Sequence, residues 1–379
     1  MVYNKIVEDF STFLLILLGQ KQSRGPETYP LVYWSDLMSD LRLIEELVPE
    51  INGMLELRYI ILKFIEYNQP VGRRKLSKGL NLKERETRDE IDVLRDLNLL
   101  EVSNMGMNIT SEGKNILYKV DHIYSDLRGI PRLEKKLKAK LNIKNAVVVP
   151  GDLSSNDIVI KEMGRKTFKL LSKHLEDSDI IGITGGSTMA QVSKEAYKNK
   201  GQKDVVVIPA RGGLGKDLNT QSNSIAAKLA NGLGGSYRLL YMPDNLEKEA
   251  LEYILKNKEI NESLNLIENM NKLVFGIGRA DTMAKRRNLT KDQIEFLLNK
   301  GSVAEAFGHY FNINGKEIWE YKTIGLSLKK FKSLDNLIGV AGGEEKAEAI
   351  LAISSLNENI TLVTDESAAK KILKIGRNL

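Results

Sequence analysis

Two groups of residues in this 379-residue chain have types and spacings suited to chemistry. The first is a run of cations: Arg73, Arg74, Lys75, Lys78, Lys83, Arg85 and Arg88, with only Glu84 and Glu86 among them. Arginine and lysine grip phosphates and read guanine edges, and a hydroxyl such as that of Thr87 can join them. The second is a set of four glycine-rich loops: Thr184-Gly185-Gly186-Ser187-Thr188, Pro209-Ala210-Arg211-Gly212-Gly213-Leu214-Gly215, Gly276–Arg287 and Ala341-Gly342-Gly343-Glu344. Glycine lets a backbone turn and present its N–H groups, and a helix beginning there favours an anion. Ser187 and Thr188 add hydroxyl donors, Arg211 can fork onto phosphate or sugar oxygens, and Gln221 can bond a hydroxyl. The third loop contributes Lys285, Arg286 and Arg287. Glu305, in Val303-Ala304-Glu305-Ala306-Phe307, has three open readings: acceptor of a sugar hydroxyl, general base, or partner in a salt bridge.

Other chemistries are excluded or disfavoured. The chain has no cysteine, so disulfides, thiolate zinc sites, iron–sulfur clusters and thiol catalysis are out. His122, His174 and His309 are scattered, which argues against a metal centre, and His309 reads as packed against or bonded to a neighbour rather than as a metal ligand. The first glycine loop lacks the Lys-Ser/Thr ending of a P-loop. Gly276-Ile277-Gly278-Arg279-Ala280-Asp281 lacks the third glycine of the dinucleotide fingerprint. One phosphate of a small ligand fits better than a nucleotide. No Asp/His/Glu set accompanies the loops as an acid–base constellation, so no catalytic residue and no cofactor is expected.

The elements that must position these groups follow from periodicity. Apolar residues recur at helical spacing from Leu41 to Phe64, and Asn68-Gln69-Pro70-Val71-Gly72 stops that run. Two short helices, Arg74–Lys78 and Glu84–Leu97, flank Gly79-Leu80-Asn81. Leu76, Leu80, Leu82, Ile91, Leu94 and Leu97 form their shared apolar side. Strand-like pieces at Leu100–Ser103 and Met107–Thr110 enclose Asn104-Met105-Gly106, and Thr110 caps a further helix. Helix, helix, turn, helix, two-stranded wing, helix is the order of a winged helix-turn-helix. In that motif the second helix of the pair enters the major groove, so Lys83, Arg85 and Arg88 are placed to contact double-stranded DNA. The wing tip carries no charge.

After the charged helix Leu133–Leu141 the pattern changes. Apolar runs at 146–149, 180–183, 205–209, 237–242, 273–276, 337–340 and 360–364 alternate with helical stretches, as parallel strands buried on both faces do. The chain is read as an extension (1–37), a winged helix-turn-helix domain (38–128) and a large α/β domain (129–379). Ligands of such sheets bind outside the carboxyl ends of the strands, where the four loops should converge.

The apolar block Phe10–Leu18 is too short to span a bilayer, and no cleavage site follows it, so a cytoplasmic protein without a membrane partner is expected. A start at Met38, or a frayed or docked extension before it, are equal readings of residues 1–37. The net charge of +6 is a poor guide to partners. The segment 38–128 is slightly acidic, its positive charge concentrated in Arg73–Arg88, and the surplus belongs to the α/β region.

Together, the winged helix-turn-helix and the ordered motifs TGGST, PARGGLG, YRLLYMP, GIGRADTMAKRR, AEAFGHYF and VAGGEEKAEAI resemble the SorC sugar-binding transcriptional regulators. The resemblance runs from about Met38 to Ala369. It implies a C-terminal Rossmann-like α/β effector domain similar to the sugar-phosphate isomerase/deaminase fold, without retained catalysis. It implies a repressor of genes for the triose-phosphate part of glycolysis, with fructose 1,6-bisphosphate as the phosphorylated sugar effector. The family's binding positions correspond here to Ser187, Thr188, Arg211, Gln221, Arg286 and Glu305, with Gly185, Gly186, Gly212 and Gly213 lining the loops. Threonine is frequent in the family where Ser187 stands; the hydroxyl is kept. A homodimer or homotetramer on operator DNA is implied as well. Two rival readings are an isomerase-like enzyme fused to a DNA-binding module and an activator answering another sugar phosphate.

Overall fold

The structure, a computed structural model, describes residues 46–155, 157–199, 204–212, 217–242 and 248–376. Packing divides the chain at Arg58 into two compact units. Of the first, the described residues 46–58 hold the opening turns of helix α1 (Glu50–Asn68). The extension at 1–37 lies outside the described residues.

Beyond α1 come α2 (Arg73–Leu80) and α3 (Glu84–Asp96), joined by a tight turn. Leu76, Ile91 and Leu94 are fully buried between them, which fixes the pair. The turn itself differs from the sequence reading. Gly79 lies inside α2, where a Cβ would collide with the ring of Phe64, so it is needed for close helix packing. Asn81 makes the reversal, with φ 52°, a conformation asparagine tolerates better than most residues. Strands β1 (Leu100–Ser103) and β2 (Gly106–Ile109) form the antiparallel wing, in register Leu100↔Ile109, and Val71 bridges Met107 on its other side. Thr110 accepts the Gly113 N–H at 2.9 Å and so caps α4 (Ser111–Leu127).

Helix α5 (Ile130–Leu141) leads into a seven-stranded, wholly parallel sheet. Its strands are β3 (Asn145–Val149), β4 (Ile180–Ile183), β5 (Val206–Pro209), β6 (Ser236–Tyr237), β7 (Lys272–Gly276), β12 (Leu337–Val340) and β13 (Ile360–Asp365), in spatial order β3-β13-β12-β7-β4-β5-β6. The intervening helices are α6 (Asp157–Lys173), α7 (Ser187–Asn199), α8 (Ser222–Leu233), α9 (Lys248–Ile254), α10 (Lys258–Asn269), α11 (Ala280–Arg286), α12 (Lys291–Asn299), α13 (Leu328–Ser333), α14 (Ala347–Ser354) and α15 (Glu366–Lys374). Alternation along β7 shows that both faces are covered: Leu273 and Phe275 join one apolar cluster, Val274 the other. Of the expected strand 237–242 only Tyr237 pairs in the sheet, in the two-residue β6.

A second sheet was not read from the sequence. Strands β8 (Gly278–Arg279), β9 (Ser302–Ala306), β10 (His309–Asn312) and β11 (Glu317–Glu320) form an antiparallel sheet in the order β11-β10-β9-β8. The β9–β10 hairpin turns at Phe307 (φ 56°) and Gly308 (φ 96°). Two positive φ values mark a primed hairpin turn, normally signalled by Asn-Gly or Asp-Gly. Phenylalanine at the first position hid it.

Candidate DNA-binding face and ligand cleft

On the winged helix, Arg73, Arg74 and Lys75 in the first turn of α2 are exposed, as are Lys83, Arg85 and Arg88 at the start of α3. The fold therefore gives a single module two cationic helix starts. Thr87 is a correction. It is 1% exposed and its hydroxyl donates to the Lys83 carbonyl at 3.0 Å, so it packs into the helix pair instead of facing DNA. Its place in the i, i+4 row with Ile91 explains the inward turn.

In the sheet, β4, β5 and β6 progress outward in one direction and β7, β12 and β13 in the other. The order reverses between β4 and β7, the point at which open α/β sheets form their ligand crevice. The first and third glycine loops leave from these two strands. Thr184 donates its N–H to the Val274 carbonyl at 3.2 Å, and its hydroxyl accepts the Gly276 N–H at 3.0 Å. A Cβ on Gly276 would lie 4.0 Å from the Gly185 carbonyl, the Thr184 hydroxyl and the Val340 carbonyl alike. The first loop and the ends of β7 and β12, from which the third and fourth loops leave, thus meet at one glycine.

The second loop is stitched to the first. Gly186 N–H donates to the Thr220 carbonyl at 2.9 Å, and the Ser222 hydroxyl donates to the Arg211 carbonyl at 3.1 Å. Gly212 N–H is held by the Ile324 carbonyl at 2.9 Å. Gln221 is the N-cap residue of α8, and Gly213 lies outside the described residues. Ser187 is exposed and Thr188 nearly buried in the first turn of α7, where N–H groups without intrahelical partners point outward.

Glu305 and the arginines divide in a way the sequence did not indicate. Glu305 sits on β9 and is 4% exposed; its Oε1 accepts the Gly308 N–H at 2.7 Å and a short bond from the Arg287 guanidinium. Arg211 Nη1 stands 3.9 Å from the same oxygen, and Arg287 lies over the Tyr321 ring at 5.0 Å. Of its three readings, the salt bridge is the one the geometry shows. Arg286, by contrast, is exposed and within electrostatic reach of Lys346, with Arg279 nearby. Burial pushes the Lys346 ammonium below the ordinary lysine value; Glu345 opposes that shift and Arg286 adds to it. Arg279 is forked onto Asp281 at 3.1 and 2.7 Å.

Lys346 was missed because it follows two glutamates in Gly343-Glu344-Glu345-Lys346, which reads as a solvated turn. Asp365 was also missed as a positioning residue. Wholly buried, it accepts N–H bonds from Gly343 at 3.0 Å, Leu153 at 2.8 Å and Ala368 at 3.2 Å, so it holds the fourth loop against the ends of β3 and α15. His309 bonds Glu317 at 2.7 Å, a neighbour on the hairpin. With Glu320 these are the one His/carboxylate group among the described residues spaced for a cation, and both carboxylates are exposed.

Residues 54–124 match the family described as the CggR N-terminal DNA binding domain, and residues 125–374 match a sugar-binding domain family. The central glycolytic genes regulator of Bacillus subtilis is 38% identical over 330 residues, covering 87% of this chain and 97% of the relative. The chain belongs to the SorC family of sugar-binding transcriptional regulators. The central glycolytic genes regulator of Priestia megaterium is 36% identical over 339 residues, covering 89% of this chain and 99% of the relative. A SorC-family regulator structure from Enterococcus faecalis superimposes with a TM-score of 0.60 at 36% identity, covering 64% of this chain and all of the other. The full-length sorbitol operon regulator of Klebsiella pneumoniae, at 20% identity and a TM-score of 0.60 over 84% of this chain, shares the fold. This SorC-family protein is therefore a DNA-binding transcriptional regulator with a sugar-binding domain, and not an enzyme. Among its described residues no helix is long and apolar enough to cross a membrane.

Proposed function

We propose that this regulator represses central glycolytic genes from the cytoplasm, and that a sugar bisphosphate, fructose 1,6-bisphosphate, controls its grip on operator DNA. The observation that carries this reading is the convergence of the strand ends and first glycine loop at the β4/β7 reversal, with exposed Arg286 and partly buried Lys346, from the third and fourth loop segments, within electrostatic reach of each other. One phosphate takes the Gly185–Thr188 loop and the first turn of α7, where N–H groups and two hydroxyls face an anion. The cations of the third and fourth loops, Arg286 and Lys346, neutralise phosphate charge, and Gln221 and Arg211 supply polar partners on the second-loop side. Arg287 and Glu305 hold β9 and α11 in place next to them. On DNA, Arg73, Arg74, Lys75, Lys83, Arg85 and Arg88 supply phosphate and base contacts. A homodimer or homotetramer presents two such modules to successive major grooves.

The name of the Bacillus subtilis and Priestia megaterium relatives supports the glycolytic target, and the cationic loop cluster supports a phosphorylated sugar over a neutral one. The test is a DNA-binding titration and a thermal melt with and without fructose 1,6-bisphosphate. A shift in both is expected. If millimolar ligand leaves the binding curve and the melting temperature where they were, the reading fails.

A further inference from the structure

The contacts between the winged helix and the α/β domain are concentrated on one stretch of α6. Lys63, on α1 and 2% exposed, donates to Glu162 at 3.0 Å and lies 3.2 Å from Asp121 on α4. Tyr67 donates to Glu162 at 2.6 Å, and Lys161 reaches Asn68 at 2.9 Å. Arg165, one turn along α6, bonds Glu162 at 2.7 Å and stands 3.6 Å from Asp121. Two cations and two carboxylates thus close a charge-balanced ring across three helices, with Lys63 and Glu162 buried and Asp121 and Arg165 half-buried at its edge.

The next two residues of α6 face the ligand loops. Met163 is fully buried with its thioether against the fourth loop: a Cβ on Gly342 would lie 3.1 Å from its sulfur. Gly164 lies against α7, the helix whose first turn carries Ser187 and Thr188. A Cβ on Gly164 would be 2.8 Å from Gln191 Cβ and 3.0 Å from the Gln191 backbone, so no side chain separates the two helices there. Glu195, further along α7, comes within electrostatic reach of Tyr67.

We infer that Glu162, Met163 and Gly164 are the joint through which occupancy of the sugar-phosphate loops reaches the DNA-binding module. Three consecutive residues of one helix touch the ionic ring, the fourth loop and the helix that begins at the first loop. The packing is too close for α7 to shift without carrying α6. The ring, in turn, cannot slide smoothly, because moving one charge leaves its partners buried and unpaired. A small displacement at the loops is thereby converted into one of two discrete arrangements of α1 and α4 against α6. The residues are positioning residues: none needs to touch sugar or DNA. The inference rests on the reading that a sugar phosphate controls DNA binding.

The test measures the affinity for a duplex selected by the protein from a randomised pool, with and without fructose 1,6-bisphosphate, and the ratio of the two. In the wild-type chain this ratio departs from one by a factor on the order of ten, as ligand coupling of this kind does. No departure overturns the functional reading itself, and the joint with it. The double variant Lys63→Met/Glu162→Gln removes one charge of each sign and leaves Asp121 facing Arg165. It is expected to bind DNA alone and sugar alone within about threefold of wild type while the ratio falls to within about twofold of one. Gly164→Ala, which wedges α6 from α7 and leaves the ring intact, gives the same loss by an independent route. A wild-type ratio in both variants, with cooperative melting retained, overturns the joint. Should the double variant not fold, Gly164→Ala decides alone.

Discussion

Arg287 holds the Glu305 carboxylate inside the protein, while its neighbour Arg286 stays exposed beside Lys346. Successive residues at the end of α11 are therefore placed differently, Arg287 turned inward onto a carboxylate and Arg286 exposed. Arg286→Ala is expected to weaken sugar-bisphosphate binding by about tenfold or more, with the unliganded melting temperature unchanged, since a charge-assisted contact is worth about 1.5–3 kcal/mol. Arg287→Ala leaves a buried carboxylate without its main partner and is expected to cost about 3–5 kcal/mol of stability. Calorimetric titration and thermal melts of the two variants separate these outcomes; the reverse pattern would show that the assignment is inverted.

The same separation applies on α3. Arg85→Ala is expected to weaken DNA binding and reduce the slope of log affinity against log salt by about one, the signature of a lost phosphate contact. Thr87→Val keeps the shape but removes the hydroxyl bonded to Lys83. Its effect is expected in stability, at about 0.5–1.5 kcal/mol, with the salt slope unaltered. Salt-dependent titrations of both variants provide the check, and sugar-induced stabilisation should survive in each.

Acid sensitivity follows from the carboxylates of the ionic ring and from Glu366 on α15. Burial by itself would raise Glu162, Asp121 and Glu366. For the first two, Lys63 leads the groups that outweigh it, and for Glu366, Lys370 and Arg128 do, so all three sit below their ordinary values. A depressed carboxyl stabilises the fold above its ordinary value and loses that contribution as pH falls through the depressed one. The melting temperature is expected to be flat from neutrality to about pH 5 and to drop steeply below about pH 4. In Lys63→Met the deficit measured at pH 7 should narrow as pH falls, because protonation relieves the unpaired carboxylates. A constant deficit across pH would rule out this origin.

Lys346 predicts the opposite limb. Its ammonium is held below the ordinary lysine value by burial, with Glu345 opposing and Arg286 adding to the shift. A bound phosphate favours the charged form, so binding takes up protons at alkaline pH, and affinity should fall there before an ordinary lysine, near ~10.4, titrates. Isothermal titration in buffers of different ionisation enthalpy reads the proton uptake directly. Lys346→Met should abolish the pH dependence along with most of the affinity.

Much of this was legible in the linear sequence. The winged helix was readable because each of its signals is local: Pro70 stopping a helix, Thr110 capping one, two short strand-like pieces around Asn104-Met105-Gly106. The parallel strands were readable because burial on both faces leaves an unbroken apolar run. The second sheet was not. Its hairpin turns at Phe307-Gly308, and β8 is two residues long, paired only because β9 lies beside it.

Sequence alone thus determined the elements of the winged helix and most strands of the parallel sheet, the cationic face of α3, the glycine loops and the family. Each depends on neighbours a few positions apart, where periodicity and turn chemistry act. Only the tertiary structure decided which of two adjacent arginines meets Glu305, that Thr87 turns inward, that Lys346 comes within electrostatic reach of Arg286, and that Lys63 closes a ring with Glu162 across 99 positions. Those outcomes depend on which side chains end up sharing a volume from which water is excluded, and partners far apart in the chain carry no mark of one another in their local sequence.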